Sequence, residues 1–194
     1  MPRLQNKTSN TDTKTILGIT VKLLVISMIT ALILSCVNAL TADKIAENIA
    51  REKADAIMSI FPSADGNEQL NVAFETMSAL YMVNSGSKTI GYAAEVTPLG
   101  FGGKMSLMIG VNSDGTLAGV KMISHSETPG LGNRAGAPEY LSQYIGKNMK
   151  ALDTDGIDVI TGSTVSSNAI LDGVKAALSA YDTILPRLSS GGAK

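Results

Sequence analysis

The feature that most constrains this chain is an apolar run close to its N-terminus, at residues 16–40. Residues 23–37 carry no charge, and a helix rising 1.5 Å per residue needs about 20 residues to cross a bilayer core of about 30 Å. Lys22 lies near the N-terminal end of the run, where its aliphatic stem can reach the interface. We therefore predict one membrane-spanning helix, in contact with lipid.

The charges beside this run predict its orientation. Arg3, Lys7 and Lys14 precede it against a single acid, Asp12, whereas acidic and basic residues are balanced just after it. Because positive flanks stay on the cytoplasmic side, residues 1–15 are expected in the cytoplasm and the rest of the chain outside. The predicted location is the cell membrane, with a single pass.

Two other interpretations of the run stay open. A cleaved signal peptide also begins a secreted chain, although its apolar core is usually shorter. The Ile-Leu-Ser-Cys sequence at residues 33–36 weakly resembles a lipoprotein signal, in which Cys36 would be lipidated. Otherwise Cys36 is a small apolar residue within the helix.

Composition excludes several classes of function. The net charge of −1 does not suggest a nucleic-acid partner. One cysteine allows no intramolecular disulfide and no thiolate-held cluster, and one histidine, His125, argues against a multi-histidine metal or haem site. We therefore predict no metal site, and redox chemistry would need an organic cofactor or a partner.

The rest of the chain mixes helices with short strands. Apolar spacing predicts an amphipathic helix from residue 41 that ends near Pro62, followed by a polar loop at 63–69. Strands are expected at 79–83, 90–96, 105–111 and 117–123, with an Asn-Ser-Asp-Gly turn at 112–115 and a Gly-Phe-Gly-Gly break at 100–103.

The C-terminal third adds a loop, two helices and a brief strand. A Gly- and Pro-rich loop at 124–138 precedes a short helix at 138–150 and a strand at 157–160. Spacing near 3.6 residues predicts a final helix at 167–185, with Pro186 marking its end. The class is α+β: a linker region at 41–70, a domain at 71–188 with a small antiparallel sheet and packed helices, and a flexible tail at 189–194.

The segment 158–167, Asp-Val-Ile-Thr-Gly-Ser-Thr-Val-Ser-Ser, is rich in hydroxyls where the last helix is expected to begin. Gly162 lets backbone approach a ligand, and Ser166 or Ser167 can cap the helix. The amides of a helix N-terminus favour an anionic phosphate. From the residues alone, the segment is either a phosphate site or only a capped turn.

This segment resembles the flavin-attachment motif of the FMN-binding domain family, Asp-x-x-Ser/Thr-Gly-Ala-Thr. Asp158, Thr161, Gly162 and Thr164 match it, and Ser163 stands where alanine is usual. The resemblance implies that Thr164 carries FMN through a phosphoester bond. It also implies that a separate Mg²⁺-dependent flavin transferase recognises the segment from Asp158 to Thr164 and makes the bond, with Asp158 as a recognition residue. By the same resemblance, the motif residues beside Thr164 also bind the cofactor: Asp158, Thr161, Gly162, Ser163, Val165 and Ser166.

A second stretch, residues 125–132, reads His-Ser-Glu-Thr-Pro-Gly-Leu-Gly. It resembles a loop of the G subunits of Rnf electron-transport complexes, which are related to the C subunit of sodium-translocating NADH:quinone reductase. Gly130 and Gly132 would let backbone lie against a flat ring and Leu131 would cover it. Glu127 and Thr128 would bond flavin edges or stabilise the loop. Otherwise the stretch is a local turn.

The resemblance implies a membrane-anchored electron-transfer subunit with covalent FMN, in a complex that couples electron transfer to sodium or proton translocation. Its partners would be other subunits of the complex, integral-membrane ones included. No catalytic residue of its own is expected, so the chain would be part of an ion-translocating oxidoreductase. Two alternatives are a stand-alone extracytoplasmic FMN-binding reductase component and a non-redox anchored binding domain.

Overall fold

A computed structural model describes residues 9–70, 77–130 and 132–190, except for the side chains of 9–13, 155 and 185–190. The chain divides into two compact units, Met1–Ala50 and Arg51–Lys194. Its first helix, α1, is Ser9–Ile60 and is 52 residues long. The expected span and the expected amphipathic helix are therefore parts of one continuous helix, and residues 1–8 of the expected cytoplasmic segment lie outside the described residues.

Within the first unit, α1 presents apolar side chains on all sides. Leu23, Leu32 and Leu34 are each at least 60% exposed, and no part of the most apolar window is buried. A helix that exposes so much apolar surface needs a partner or a lipid environment. By length and composition it can cross a membrane, which agrees with the expected membrane anchor.

The second unit contains an antiparallel sheet in which every strand pairs with its neighbour in sequence. The order is β1-β2-β3-β4-β5. The strands are β1 (Gly66–Leu70), β2 (Met77–Ser85), β3 (Lys88–Val96), β4 (Met105–Asn112) and β5 (Leu117–His125). The helices that follow are α2 (Pro138–Leu141), α3 (Met149–Asp155) and α4 (Thr164–Ser190). The predicted α+β class is confirmed.

One face of the sheet is covered by α4 and the short helices. Alternate residues of a strand point to opposite faces, so Leu107, Ile109 and Val111 of β4 share this side. They pack in one buried cluster with Ile170 and Val174 of α4. This packing fixes α4, and with it the hydroxyl-rich segment at its start, against the sheet.

The C-terminal part of α1 covers the opposite face. Ile57 and Phe61 are buried there against Ala93 and Met108. Gly110 has no side chain at this point, and a Cβ on it would approach the Phe61 ring to 2.8 Å. With both faces covered, β3 and β4 are buried over most of their length, and most of their residues are apolar.

Two predictions from local pattern were wrong. The expected loop at 63–69 contains β1, whose polar and mostly exposed residues pair with β2 through the backbone. No strand occurs at 157–160. There the Gln143 side chain replaces a neighbouring strand: its Oε1 accepts the Asp158 amide hydrogen at 2.9 Å and its Nε2 donates to the Asp158 carbonyl at 3.4 Å.

Helix bounds also differ from those expected. The helix expected at 138–150 is α2, a 3-10 turn at Ser142–Tyr144 and then α3, because Gly146 adopts a φ of +77° between them. The final helix begins at Thr164 and continues past Pro186 to Ser190. Residues 191–194 of the expected tail lie outside the described residues.

Candidate functional site

Three separate segments meet around a cavity of about 250 Å³ at the N-terminus of α4. They are the glycine-rich loop after β3, the loop after β5, and the segment that leads into α4. The lining residues are Phe101, Thr128, Gly132, Gly162, Ser163, Thr164, Val165 and Ser166. The two motifs that the sequence offered independently therefore line one cavity.

The turn into α4 gives two adjacent hydroxyls opposite environments. Gly162 adopts a φ of +83°, which an L side chain tolerates poorly, and the Ser163 amide donates to the Ile160 carbonyl at 2.9 Å. Ser163 is only 4% exposed, and its hydroxyl lies 3.4 Å from the Gly132 carbonyl oxygen. Thr164, the first residue of α4, is exposed. Of the two residues, Thr164 is the accessible one.

The prediction that Ser166 or Ser167 caps the last helix was wrong, because α4 begins before them. Both serines are buried within its first turn. The Ser166 hydroxyl accepts the Phe101 amide hydrogen at 3.5 Å, which joins the glycine-rich loop to α4. The Ser167 amide makes an ordinary helical bond to the Ser163 carbonyl at 2.9 Å.

The electrostatics of this helix end favour an anion. The first amides of a helix lack partners within it, and their dipoles add to a partial positive charge. Residues 164–167, the first turn of α4, include no acid. A phosphate beside Thr164 would therefore meet hydrogen-bond donors and no opposing carboxylate in that turn.

The glycine-rich loop supplies a residue that the sequence analysis missed. A bridge between Leu99 and Lys104 closes the loop, and the Gly100 amide donates to the Gly103 carbonyl at 2.9 Å. Phe101 stands at its tip, 78% exposed, and lines the cavity. A large aromatic residue flanked by glycines was the available signal, but the segment was interpreted only as a break between strands.

The loop after β5 contributes two residues to the cavity lining, and its acidic residue is buried. Thr128 and Gly132 line the cavity. Glu127 is only 5% exposed, its amide donates to His125 Nδ1 at 3.2 Å, and its Oε2 accepts the Gly102 amide hydrogen at 3.2 Å. Glu127 thus holds loop backbone and is not among the lining residues.

The other predicted site residues lie outside the cavity lining. Gly130 adopts a φ of +81° and donates its amide hydrogen to Asn133 Oδ1 at 2.8 Å, as a turn residue. Asp158 and Thr161 are exposed on the approach to α4. Leu131 lies outside the described residues.

The charges of the lining residues distinguish this cavity from a larger one of about 460 Å³ beside the start of β2 and the end of β3. Lys104 and Asp172 line the larger cavity with opposite charges, so it does not favour an anion. Across residues 9–70, 77–130 and 132–190, no group of three or more His, Cys, Asp or Glu side chains is placed to hold a metal ion. The cavity at α4 is the candidate site.

Comparison with known proteins agrees with the two motifs. Residues 100–179 match the FMN-binding domain family. The chain is 29% identical to the G subunit of the proton-translocating ferredoxin:NAD(+) oxidoreductase complex of Clostridium ljungdahlii, over 89% of this chain and 95% of that protein. It is also 29% identical to the G subunit of the ion-translocating oxidoreductase complex of Methanosarcina acetivorans, over 86% and 95%.

A third relative extends the same pattern. The chain is 27% identical to the G subunit of the Na(+)-translocating ferredoxin:NAD(+) oxidoreductase complex of Acetobacterium woodii, over 89% of this chain and 95% of that protein. Each of these three relatives matches at least 86% of this chain. The resemblance drawn from the sequence is confirmed.

Proposed function

We propose that this homologue of the G subunits of ion-translocating oxidoreductase complexes is a membrane-anchored electron-transfer subunit that carries FMN on Thr164. The observation that carries the proposal is the cavity at the N-terminus of α4, which both motif loops line and at which Thr164 is exposed. The complex would couple electron transfer to the translocation of sodium ions or protons.

The residues at this cavity fit FMN. The exposed Thr164 hydroxyl and the first amides of α4 suit a phosphate, and Thr128, Gly132 and Phe101 provide a wall for an aromatic ring. The enclosed volume of about 250 Å³ is below the roughly 300–1,000 Å³ of sites that engulf a ligand. Part of the cofactor would therefore stay exposed to partner subunits. Bound FMN would supply the redox chemistry, and the protein supplies its position.

Attachment at Thr164, and not at the neighbouring Ser163, is supported by accessibility. The Ser163 hydroxyl is buried and directed at the Gly132 carbonyl, whereas Thr164 is exposed. A threonine hydroxyl needs an activating base, and residues 164–167 include no acid to provide one. A separate flavin transferase would therefore form the bond, with exposed Asp158 and Thr161 available for its recognition.

The membrane helix and the covalent bond would together keep the cofactor at one position in the complex. If residues 1–15 are cytoplasmic, the FMN-binding domain lies outside the cytoplasm, where a freely dissociating cofactor would be lost. A phosphoester bond prevents that loss. Partner subunits within the membrane would then meet a cofactor fixed at one position in the complex.

Intact mass tests the attachment. Full-length protein from cells that contain a flavin transferase should exceed its sequence mass by one FMN phosphoester, and Thr164→Val should remove that increment. Ser163→Ala is the matched control and should keep it. An unmodified wild-type mass, or flavin retained by Thr164→Val, would overturn the proposal. Copurification with other membrane subunits separates a complex subunit from a stand-alone reductase component.

A further inference from the structure

We propose that Glu127 is a positioning residue, which clamps the glycine-rich loop against the loop after β5 and so builds one wall of the cavity. The identity of the ligand in that cavity rests on the function proposed above, but the clamp itself does not. Glu127 is 5% exposed and is not a lining residue, whereas the nearby Thr128 and Gly132 are. Its carboxylate therefore acts on the loops and not on the cofactor.

The contacts of the carboxylate join two segments that are distant in sequence. Its Oε2 accepts the Gly102 amide hydrogen at 3.2 Å, at the middle of the glycine-rich loop. Its Oε1 is buried and has no hydrogen-bond partner among the residues that the structure describes. Burying a carboxylate is costly, so its place here indicates a specific task.

The glycines around Glu127 match the volume of its carboxylate. A Cβ on Gly100 would overlap Glu127 Oε1, and a Cβ on Gly132 would overlap Oε2. Neither glycine has a positive φ, so backbone conformation does not require glycine at either position. The two loops can lie this close because both lack side chains where the carboxylate sits.

The clamp reaches the start of α4 through both loops. Phe101, next to the clamped Gly102, donates its amide hydrogen to the Ser166 hydroxyl, and the Gly132 carbonyl accepts from Ser163. Removing the carboxylate would therefore release the Gly102 amide beside Phe101 at one side of the cavity and leave a void against Gly132 at the other. Glu127 would position lining residues without touching the ligand.

Reciprocal substitutions in full-length apo-protein, made without a flavin transferase, test the clamp. The readout is the rate of chymotryptic cleavage after Phe101. Losing the bond to the Gly102 amide should raise that rate about tenfold in Glu127→Ala. Gly100→Ala should raise it similarly. The Glu127→Ala/Gly100→Ala double variant should show no further rise, because the remaining close neighbours of that Cβ are the flexible terminal atoms of Met105.

One variant serves as a matched control. Glu127→Gln keeps an acceptor oxygen and should stay within about threefold of wild type.

Three results would overturn the clamp: unchanged cleavage in Glu127→Ala, additive effects with Gly100→Ala, or a global unfolding midpoint that falls in step with cleavage. In cells that contain the transferase, flavin incorporation should fall in Glu127→Ala and recover in Glu127→Gln. If the cleavage rates of Glu127→Ala and Gly100→Ala are non-additive as expected, but neither wild type nor any variant carries flavin, the proposed function is refuted and the clamp stands. Full loading of Glu127→Ala would refute its role in positioning.

Discussion

The Ser163 hydroxyl lies 3.4 Å from the carbonyl oxygen of Gly132, and so the residue before α4 is bonded to the end of the loop after β5. This bond is long, and its geometry places it among the weaker hydrogen bonds. Ser163→Ala should therefore lower the free energy of unfolding by less than about 1 kcal/mol. Urea unfolding of the full chain in detergent measures this.

Ser163→Val provides the contrasting substitution. Ser163 is 4% exposed, so valine, which places two methyl groups where serine has one hydroxyl, must displace packed neighbours. Overpacking of this kind costs about 1–3 kcal/mol. Equal effects of the alanine and valine variants would show that the site is more open than the structure indicates.

Lys53 and Glu95 join α1 to the sheet through a mostly buried ion pair. Lys53 Nζ lies 2.8 Å from Glu95 Oε2, and the side chains are 28% and 7% exposed. Lys53→Met leaves a buried carboxylate without its cation and should cost about 3 kcal/mol, since breaking buried pairs costs about 3–5 kcal/mol and Lys53 is partly solvated. A Lys53→Met/Glu95→Met double variant should be more stable than Lys53→Met alone.

Tyr81 gives a spectroscopic check on the same pair. Burial raises the pKa of Tyr81, the Lys53 cation lowers it, and the Glu95 carboxylate raises it. Lys53→Met should therefore raise the pKa of Tyr81 further, which absorbance near 295 nm follows. An unchanged tyrosine titration would argue against the pair.

Gly110 and Gly119 pair across β4 and β5 and differ in what faces them. A Cβ on Gly110 would overlap Ile60 and crowd Phe61, whereas on Gly119 the nearest atom would be Ile60 at 3.5 Å, an ordinary contact. Gly110→Ala should cost about 1–3 kcal/mol, and Gly119→Ala less than about 0.5 kcal/mol. Similar unfolding midpoints for the two variants would contradict the described packing of α1.

Tyr144 predicts how stability depends on alkaline pH. Burial, and then the neighbouring Tyr140, raise the pKa of Tyr144 well above its ordinary value of 10.0. Tyr144 ionises near pH 10 in the unfolded chain but stays neutral there in the folded chain. The stability that neutral Tyr144 contributes is therefore complete below pH 10 and declines above it. At pH 11, Tyr144→Phe should gain about 1.4 kcal/mol over wild type relative to pH 8. Chemical unfolding at the two pH values measures the gain.

The sequence predicted the parts of the fold that leave a periodic or compositional signal. Each of the four predicted strands lies within β2 to β5, because their apolar residues face the two covered sides of the sheet. Strand β1 left no such signal, since its polar residues are exposed and it is held by backbone bonds. Residues 157–160 have strand-like composition, but the Gln143 side chain occupies the position of a partner strand.

At the candidate site, motif spacing in the sequence identified the segments, but the role of each residue depends on its tertiary contacts. The motif spacing selected Thr164 and Gly132, which line one cavity. For Glu127 the sequence left two roles open, binding flavin or stabilising the loop, and its burial against Gly102 favours the second. Phe101 was missed because its role depends on a loop folding back to Ser166, a contact across 65 positions of sequence.

The strand order has a consequence for how the domain assembles. Because each strand pairs with its neighbour in sequence, the sheet needs only short loop closures and can form quickly as the chain is made. The buried cluster between the sheet and α4 is complete only when α4 packs, and α4 is the last helix that the structure describes. Thr164 therefore acquires its surroundings only when the last helix packs, and a chain shortened before α4 would lack this residue and expose the apolar side of its sheet.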